Sequence, residues 1–348
     1  MLSCGIVGLP MTGKTTFFRL LTGVSQGGRG EAPGKGVAKI PDQRVVFLSG
    51  VYHPKKITYA QMEFADVPGF APGTGQGGRF LAEAREVDAL VQVLRAFSLG
   101  GDEPDPLADL EAIHLELVLA DLEFLEKRLE RARGNKKAKP GETALLECCR
   151  SALEDGQTIR SLGLSSEEEK ELAGYSLLTE KPYLVVANVG EEGFRRGDYP
   201  GREQLRQRTT EARLPFVETC AQLEEEIQEL PMEEREEFLR DLGVAESGIE
   251  RVARSVYAHL GLISFLTAGE DEVRAWTIKS RTTAKEAAGK IHSDIERGFI
   301  RAEVVAFDDF AATGSLAGAR DKGTLRLEGK EYSVQDGDII NFRFNVAK

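Results

Sequence analysis

The chain has 348 residues, a composition 41% apolar and 29% charged, and a formal net charge of −12 at pH 7. That is the profile of a globular protein long enough for two or three domains, and its acidity argues against coating nucleic acid by bulk charge. No run of about 18 apolar residues is present, which excludes a helical membrane span, and the first ten residues lack the basic start of a signal peptide. The four cysteines (Cys4, Cys148, Cys149, Cys220) show no metal-ligand spacing and predict reduced thiols in a cytoplasmic protein.

In chain order, the first hundred residues alternate strand-like and helix-like runs. A strand ends at Val7, a helix starts at Lys14, and a glycine-rich stretch runs from Gly23 to Gly36. A strand from Tyr59 to Asp66, a second glycine stretch from Gly69 to Gly78, a helix near Arg79 to Arg85 and a strand from Ala89 to Phe97 follow. This rhythm predicts a mostly parallel sheet with ligands at the carboxyl ends of its strands. From Asp105 the rhythm stops. A long helix carries apolar residues at Leu110, Ile113, Leu117, Ala120 and Phe124, and a second helix, after a Gly/Pro break at Gly134 to Gly141, carries Leu145, Cys149, Ala152 and Ile159. Spacings of three and four predict an antiparallel coiled-coil hairpin. Its tip concentrates Lys127, Arg128, Arg131, Arg133, Lys136, Lys137 and Lys139. Such a run reads either as a solvated helix end or as a contact for a polyanion.

Strand character returns from Pro182 to Asn188, so the hairpin is an insertion into the first domain, and the acidic helices after it read as scaffold. From Val273 the texture changes to a strand, a helix and a final stretch of two-residue alternation, a small α+β module. The expected layout is a P-loop domain over 1–105 and 181–272, the hairpin over 106–180 and the module over 273–348. That last segment holds 13 Lys/Arg against 11 Asp/Glu, a balance of +2 that leaves −14 for the rest. The contrast fits contact with RNA and fits ordinary charge scatter equally well.

The stretch Gly8 to Thr15, GLPMTGKT, matches G-x-x-x-x-G-K-[ST] between a strand and a helix. Gly8 and Gly13 let the backbone curl so that N–H groups of Pro10's neighbours, Met11, Thr12 and Thr16 surround a phosphate at the positive end of the helix. Lys14 is placed to reach the β/γ-phosphates and Thr15 to ligate Mg²⁺. Pro10 belongs to this candidate cradle, though it has no N–H of its own. The alternative is a plain glycine-rich turn. Asp66 to Gly69, DVPG, closes the second of these strands: Asp66 can hold Mg²⁺ through water and the Gly69 N–H can sense a γ-phosphate, or the four residues are a simple turn. Asn188, Val189 and Glu191 stand where P-loop GTPases keep Asn-Lys-x-Asp. Glu191 is one methylene longer than the guanine-reading Asp and Val189 cannot cover a base as Lys does, which favours adenine or mixed specificity. Cys220, Ala221 and Gln222 sit where a last base-contacting loop would lie.

The chain resembles the YchF/Obg-like ATPases, a family of translation-factor-related P-loop NTPases. The resemblance rests on GLPMTGKTT, MEFADVPG, FLAEAREVDALVQVLRAF, DLEFLEKRLER, NVGE, and two C-terminal stretches, LGLISFLTAGEDEVRAWTIK and LRLEGKEYSVQDGDIINFRFNV. It covers nearly the whole chain and is most specific at the C-terminus, which is similar to the family's TGS domain, a ubiquitin-like fold. It implies a G domain interrupted by a coiled-coil insert, Mg²⁺-dependent binding of ATP or GTP, and association with the ribosome or RNA through the hairpin tip and the TGS-like module. Three departures stand out. Met11 occupies a position where relatives carry Asn, the interval Val24 to Lys35 is short and lacks the threonine that completes their Mg²⁺ shell, and the glycine loop after DVPG is shortened.

Phosphoryl transfer needs positioning and charge neutralisation more than covalent chemistry. Lys14 and Gly69 are the candidate catalytic groups, while Phe70 stands where Ras-like enzymes place a water-orienting Gln and no arginine finger is evident. The expectation is therefore slow or partner-stimulated hydrolysis and a weak nucleotide switch. The alternatives are a nucleotide-dependent adaptor that does not turn over and a small-molecule kinase. The latter is disfavoured because only Arg79, Arg85 and Arg95 lie between Gly69 and Phe97.

Overall fold

The computed structural model describes residues 2–24, 34–70, 77–134 and 140–345. Its strands are β1 (Ser3–Val7), β2 (Lys35–Ile40), β3 (Lys56–Thr58), β4 (Ala60–Asp66), β5 (Ala89–Ala96) and β6 (Tyr183–Val189). They continue as β7 (Phe216–Thr219), β8 (Leu262–Ala268), β9 (Glu272–Lys279), β10 (Phe299–Val305), β11 (Arg326–Glu328) and β12 (Ile339–Phe344). Two six-stranded sheets result, in the orders β2-β4-β1-β5-β6-β7 and β11-β10-β12-β8-β9-β3. The chain divides into two units, 1–38 with 63–256 and 39–62 with 257–348.

In the first unit β1 runs parallel to β4 and β5, β5 to β6, and β6 to β7. All five residues of β1 and the last six of β6 are buried, the signature of strands covered on both faces. The helix Lys14–Thr22 follows β1, buries Phe17, Phe18, Leu20 and Leu21, and stops at Gly23, whose φ of 67° only glycine adopts cheaply. Parallel pairing brings the carboxyl ends of β1, β4, β6 and β7 to one edge, as the βα rhythm predicts.

The hairpin insertion consists of the helices Pro106–Gly134 and Pro140–Glu154, but its seam differs from the expected one. Ile113 and Leu117 pack into the sheet's core beside Val7, Phe80 and Leu90, and Leu110 packs with Leu94 and Val185. The first three turns of the long helix are thus a layer of the nucleotide domain. The hairpin's own core starts at Val118 and is made of Leu125, Leu129, Leu145, Leu146, Cys149 and Leu153. The heptad-like spacing is continuous because one face of one helix serves two partners in succession. Ile159 lies beyond the second helix, in a short 3₁₀ turn, yet closes the same cluster. Of the basic tip, Lys136, Lys137 and Lys139 fall outside the described residues. Lys127 pairs with Glu123, and Arg128 bonds Glu142 at 2.7 Å.

The second unit corrects the expected boundaries. Residues 39–62, placed by sequence in the nucleotide domain, group with 257–348. The helix Gln43–Tyr52, capped by the Asp42 carboxylate, and β3, paired with β9, are built into this unit. Arg44 joins Asp42 and Asp336, both at 2.8 Å. No alternation or glycine signal marks this segment as belonging 200 residues downstream. The sheet is mixed: β8–β9, β10–β11 and β10–β12 are antiparallel, β12–β8 and β3–β9 parallel. The helix Ala284–Ile291, opened by a Thr283/Glu286 capping box, packs Ala284, Ala287 and Ala288 against Phe265, Ile278 and Ile340. Trp276 packs within the unit: its ring stacks on Phe265, its indole N–H donates to Thr267 at 3.0 Å, and the Arg274 guanidinium lies over the ring, 3.7 Å from its centroid.

If the long helix starts as a layer of the nucleotide domain, Ile113→Ala, at a residue 0% exposed, will destabilise the protein by about 2–5 kcal/mol. Leu115→Ala, two residues away and 57% exposed, will cost less than about 0.5 kcal/mol. Urea unfolding of both variants checks this, and equal losses would refute the assignment.

Candidate nucleotide site

The loop between β1 and the helix Lys14–Thr22 is shaped by three contacts. Gly13 sits at φ 89°, and a Cβ there would lie 2.4 Å from the Asn188 Nδ2, so both backbone angle and space require glycine. A Cβ on Gly8 would fall 2.7 Å from the Val93 carbonyl oxygen. The buried Thr12 hydroxyl donates to the Leu9 carbonyl at 3.1 Å and ties the loop across itself. Met11 adopts φ 65° with its side chain 68% exposed, so the loop apex presents a thioether to solvent, in a backbone region L-residues avoid.

Register brings the acidic residue to the loop. In the β1–β4 pairing Ile6 lies opposite Asp66, two residues before Gly8. The Asp66 carboxylate accepts from the Lys14 ammonium at 2.7 Å on one oxygen and from the Thr15 hydroxyl at 2.9 Å on the other. Lys14, Thr15 and Asp66, read separately from sequence, therefore converge at the amino end of the helix. Gly69 follows with its Cα against the loop, since a Cβ there would meet the Gly8 carbonyl at 3.1 Å and the Pro10 nitrogen at 3.7 Å. Thr16 is half-buried in the first turn of the helix, and its hydroxyl accepts from Arg19 at 3.4 Å.

The second half of the site is organised by Asn188 at the end of β6. Its buried carboxamide donates to the Thr12 carbonyl at 3.0 Å and accepts from the Ala221 N–H at 3.0 Å. One side chain thus fastens the phosphate loop to the loop after β7. Val189 is 2% exposed and packs with Leu205 and Tyr199, so its side chain belongs to the core, in keeping with a residue type that cannot cover a base. Glu191 opens the helix Glu191–Arg196 and pairs with Arg195 at 3.0 Å. Cys220 is buried at the start of the helix Ala221–Glu229, and burial pushes its thiol pKa up; Ala221 is buried too, while Gln222 is exposed.

Sequence reading missed Glu224. This buried carboxylate accepts from Thr219 at 3.0 Å, from the Gly248 N–H at 2.7 Å and from Ser247, and so holds the loop that carries Cys220 and Ala221. Within the acidic run LEEEIQE it carries no signal separating it from solvated neighbours. Phe70, for its part, is 3% exposed and packs against Phe80 with ring centroids 4.7 Å apart and planes tilted by 35°, so it is a core residue and orients no water. Residues 25–33 and 71–76, which include most of the interval lacking a threonine and the shortened glycine loop, lie outside the described residues.

A parallel sheet with this loop, and a Lys–Asp–Thr convergence at the first helix, make the chain a P-loop NTPase. Comparison with known proteins defines it further. Residues 262–345 match the family model YchF-GTPase_C, described as a protein of unknown function. The chain is 43% identical over 370 residues to the ribosome-binding ATPase YchF of Bacillus subtilis, covering 99% of this chain and 100% of that one. It is 36% identical over 369 residues to Obg-like ATPase 1 of Oryza sativa, with 99% and 93% covered. The solved structure of the Schizosaccharomyces pombe YchF GTPase superposes with a TM-score of 0.88 at 32% identity, covering 98% and 97% of the two chains. The chain belongs to the YchF family.

If Asn188 holds the two loops together, Asn188→Ala leaves a carbonyl and an N–H unpaired in a buried place and will cost about 1–3 kcal/mol for each group left unpaired. Thermal or urea unfolding measures the loss; an unchanged midpoint would show that the bracket carries nothing.

Proposed function

We propose that the protein binds the triphosphate of a purine nucleotide, ATP or GTP, hydrolyses it slowly or on contact with a partner, and works in association with the ribosome. The observation that carries this reading is the meeting of Lys14, Thr15 and Asp66 at the amino end of the helix Lys14–Thr22, behind the left-handed Gly13. There the ammonium and the helix dipole favour phosphate. The Thr15 hydroxyl and the Asp66 carboxylate are adjacent hard oxygens, a donor pair suited to Mg²⁺, which binds through one or two such groups and keeps most of its waters. When bound, the ion would neutralise charge on the phosphates. The chain's own residues orient them through Lys14 and the loop amides from Met11 to Thr16, with Gly69 beside the loop as a further backbone donor.

Slow turnover is supported by what surrounds the site. Phe70 is locked in the core. The three arginines between Gly69 and Phe97 are engaged: Arg79 with Glu83, Arg85 with Asp121 and the Ser176 carbonyl, Arg95 with the Asp102 carbonyl. An arginine finger, where one is supplied, is worth about 10³–10⁵ in rate. The same facts favour, as a second reading, an adaptor that binds nucleotide without turning it over. The ribosome enters through the B. subtilis relative's name, and the acidic body with a near-neutral C-terminal unit fits docking through the hairpin tip or that unit. The buried Cys4, Cys149 and Cys220 and the exposed Cys148 are all free thiols, which fits a cytoplasmic protein.

Single-turnover assays with Mg²⁺-ATP and Mg²⁺-GTP, with and without purified ribosomes, separate the readings. Slow phosphate release that ribosomes accelerate supports the enzyme; none under either condition supports the adaptor; fast release by the free protein overturns both. Lys14→Ala will weaken both nucleotides by at least about tenfold. Because it also strands Asp66, its melting curve must be recorded alongside; a folded variant with unchanged affinity would remove the phosphate assignment. Glu191→Asp will shift preference toward GTP if this carboxylate reads the base, and an unchanged ATP/GTP ratio excludes that role.

A further inference from the structure

β7 is the last strand of the first sheet, and beside it, along the helix Arg202–Glu211, opens a cleft of about 360 Å³. Phe194, Phe216, Leu242 and Val244 give it an apolar wall. Among the described residues that line it are three guanidiniums, those of Arg202, Arg206 and Arg251, and one carboxylate, that of Glu218, a balance of +2. Three separate elements bring these charges together. Arg202 and Arg206 stand one turn apart on the same helix face, Arg251 comes from the helix Gly248–His259, and Glu218 is the third residue of β7.

The one carboxylate is already matched. Arg202 donates to both Glu218 oxygens, at 2.8 and 3.0 Å, and the Tyr199 hydroxyl donates to one of them at 3.0 Å. Asp198 lies in the field of Arg202, the arginine that is paired. Two positive charges are left over. The Arg206 side chain is half exposed, and its closest approach to the Glu218 carboxylate is 3.9 Å, too far for a hydrogen bond. Arg251 donates from Nη2 to the Glu218 main-chain carbonyl at 2.8 Å, which fixes the guanidinium in place without neutralising it. Both excess cations therefore stand around a single residue at the cleft, one by its carboxylate and the other by its backbone oxygen.

Cations recessed in a cleft with low-dielectric walls focus their field and draw an anion, and the guanidinium fork matches the oxygens of phosphate. We propose that this cleft binds a small organic phosphate monoester, its dianionic head between Arg206 and Arg251 and an apolar or ring-bearing body against Phe194, Phe216 and Val244. Two cations gathered at one residue favour one doubly charged head over two separated carboxylates. The volume lies within the ~300–1,000 Å³ of small-molecule sites, and an apolar wall with a few convergent polar groups is their usual form. Neither guanidinium belongs to the phosphate loop, so this assignment and the nucleotide assignment stand or fall separately.

Phenyl phosphate is the probe. Phthalate serves as the ring with two carboxylates, phenol as the uncharged ring and inorganic phosphate as the head without a body. Saturation-transfer and ³¹P NMR at constant ionic strength use the full chain with a non-hydrolysable ATP analogue and Mg²⁺ in excess, so that the phosphate loop is filled. The Lys14→Ala chain is titrated in parallel. Phenyl phosphate will bind saturably in both, and the other three probes will bind at least about tenfold more weakly. Arg206→Gln, at a half-exposed position, will weaken phenyl phosphate by about tenfold or more and leave nucleotide affinity unchanged. Four results would each overturn the proposal: no saturable binding once the loop is filled, loss of binding in folded Lys14→Ala, equal binding of any of the other three probes, or unchanged affinity in Arg206→Gln. If Lys14→Ala fails to fold, the titration with the ATP analogue decides alone.

Discussion

The Asp66 carboxylate, gripped on one oxygen by Lys14 and on the other by Thr15, is the interaction on which the rest of the site depends. Lys14 and Thr15 are local to the loop, but Asp66 arrives from another strand, and only the register Ile6–Asp66 delivers it. That register in turn needs β1 and β4 to sit in a tightly packed layer. Gly5 shows how tight: a Cβ there would lie 2.9 Å from Val87 and 3.0 Å from Val67. Because successive strand residues face opposite sides of the sheet, a one-residue slip would turn the carboxylate away and bring Val67 or Ala65 to the loop. The apolar packing of β1 is therefore a condition of the chemistry as well as of the fold.

Asn188 imposes a second constraint, and it changes what the base-reading end can do. Its carboxamide is engaged on both atoms, the nitrogen by the Thr12 carbonyl and the oxygen by the Ala221 N–H, and Val189 faces the core. Of the three residues read from sequence as a base-contacting group, only Glu191 has a side chain outside the core and off the loops. It heads a helix, where a carboxylate is favoured by the dipole whether or not a base is present, and it pairs with Arg195. In the proposed function, purine selection then falls on one carboxylate and on backbone groups near Cys220 to Gln222, a sparser set of contacts than a site with Lys and Asp would offer.

Elements with a local cause were legible in the sequence. The phosphate loop, its helix and the strands around it follow from glycine positions and apolar runs, and β4, β5 and β6 fall within one residue of their expected ends. Elements with a distant cause were not. The helix Gln43–Tyr52 exists where it does because Arg44 finds Asp336 and Tyr52 finds Phe310, partners more than 250 residues away. The seam of the long helix could be counted from its spacing but not assigned, since Ile113 facing a sheet and Leu125 facing a helix produce the same pattern. Glu224 was invisible for a similar reason: burial comes from Thr219, Ser247 and Gly248 closing around it, and composition says nothing of that.

The same distinction bears on hydrolysis. Everything that would hold the phosphates is local to one edge of the sheet, whereas the groups that usually complete the transition state are committed elsewhere. Arg85, the arginine with the most contacts between Gly69 and Phe97, is fixed at the hairpin root: it sits 3.3 Å from the buried Asp121 carboxylate and donates to the Ser176 and Ala120 carbonyls at 3.1 and 3.3 Å. Asp121 is itself held by the Thr179 N–H at 2.8 Å, so freeing the guanidinium would leave a charge uncompensated in the interior. The position after Gly69 is closed in another way, because turning Phe70 outward would empty its place beside Phe80. In the proposed function the described residues thus supply the grip, while packing holds Phe70 and Arg85 away from supplying the final stabilising charge. In the proposed function that leaves the partner surface as the source of the missing group, and it makes the rate of cleavage a report on docking rather than on nucleotide binding.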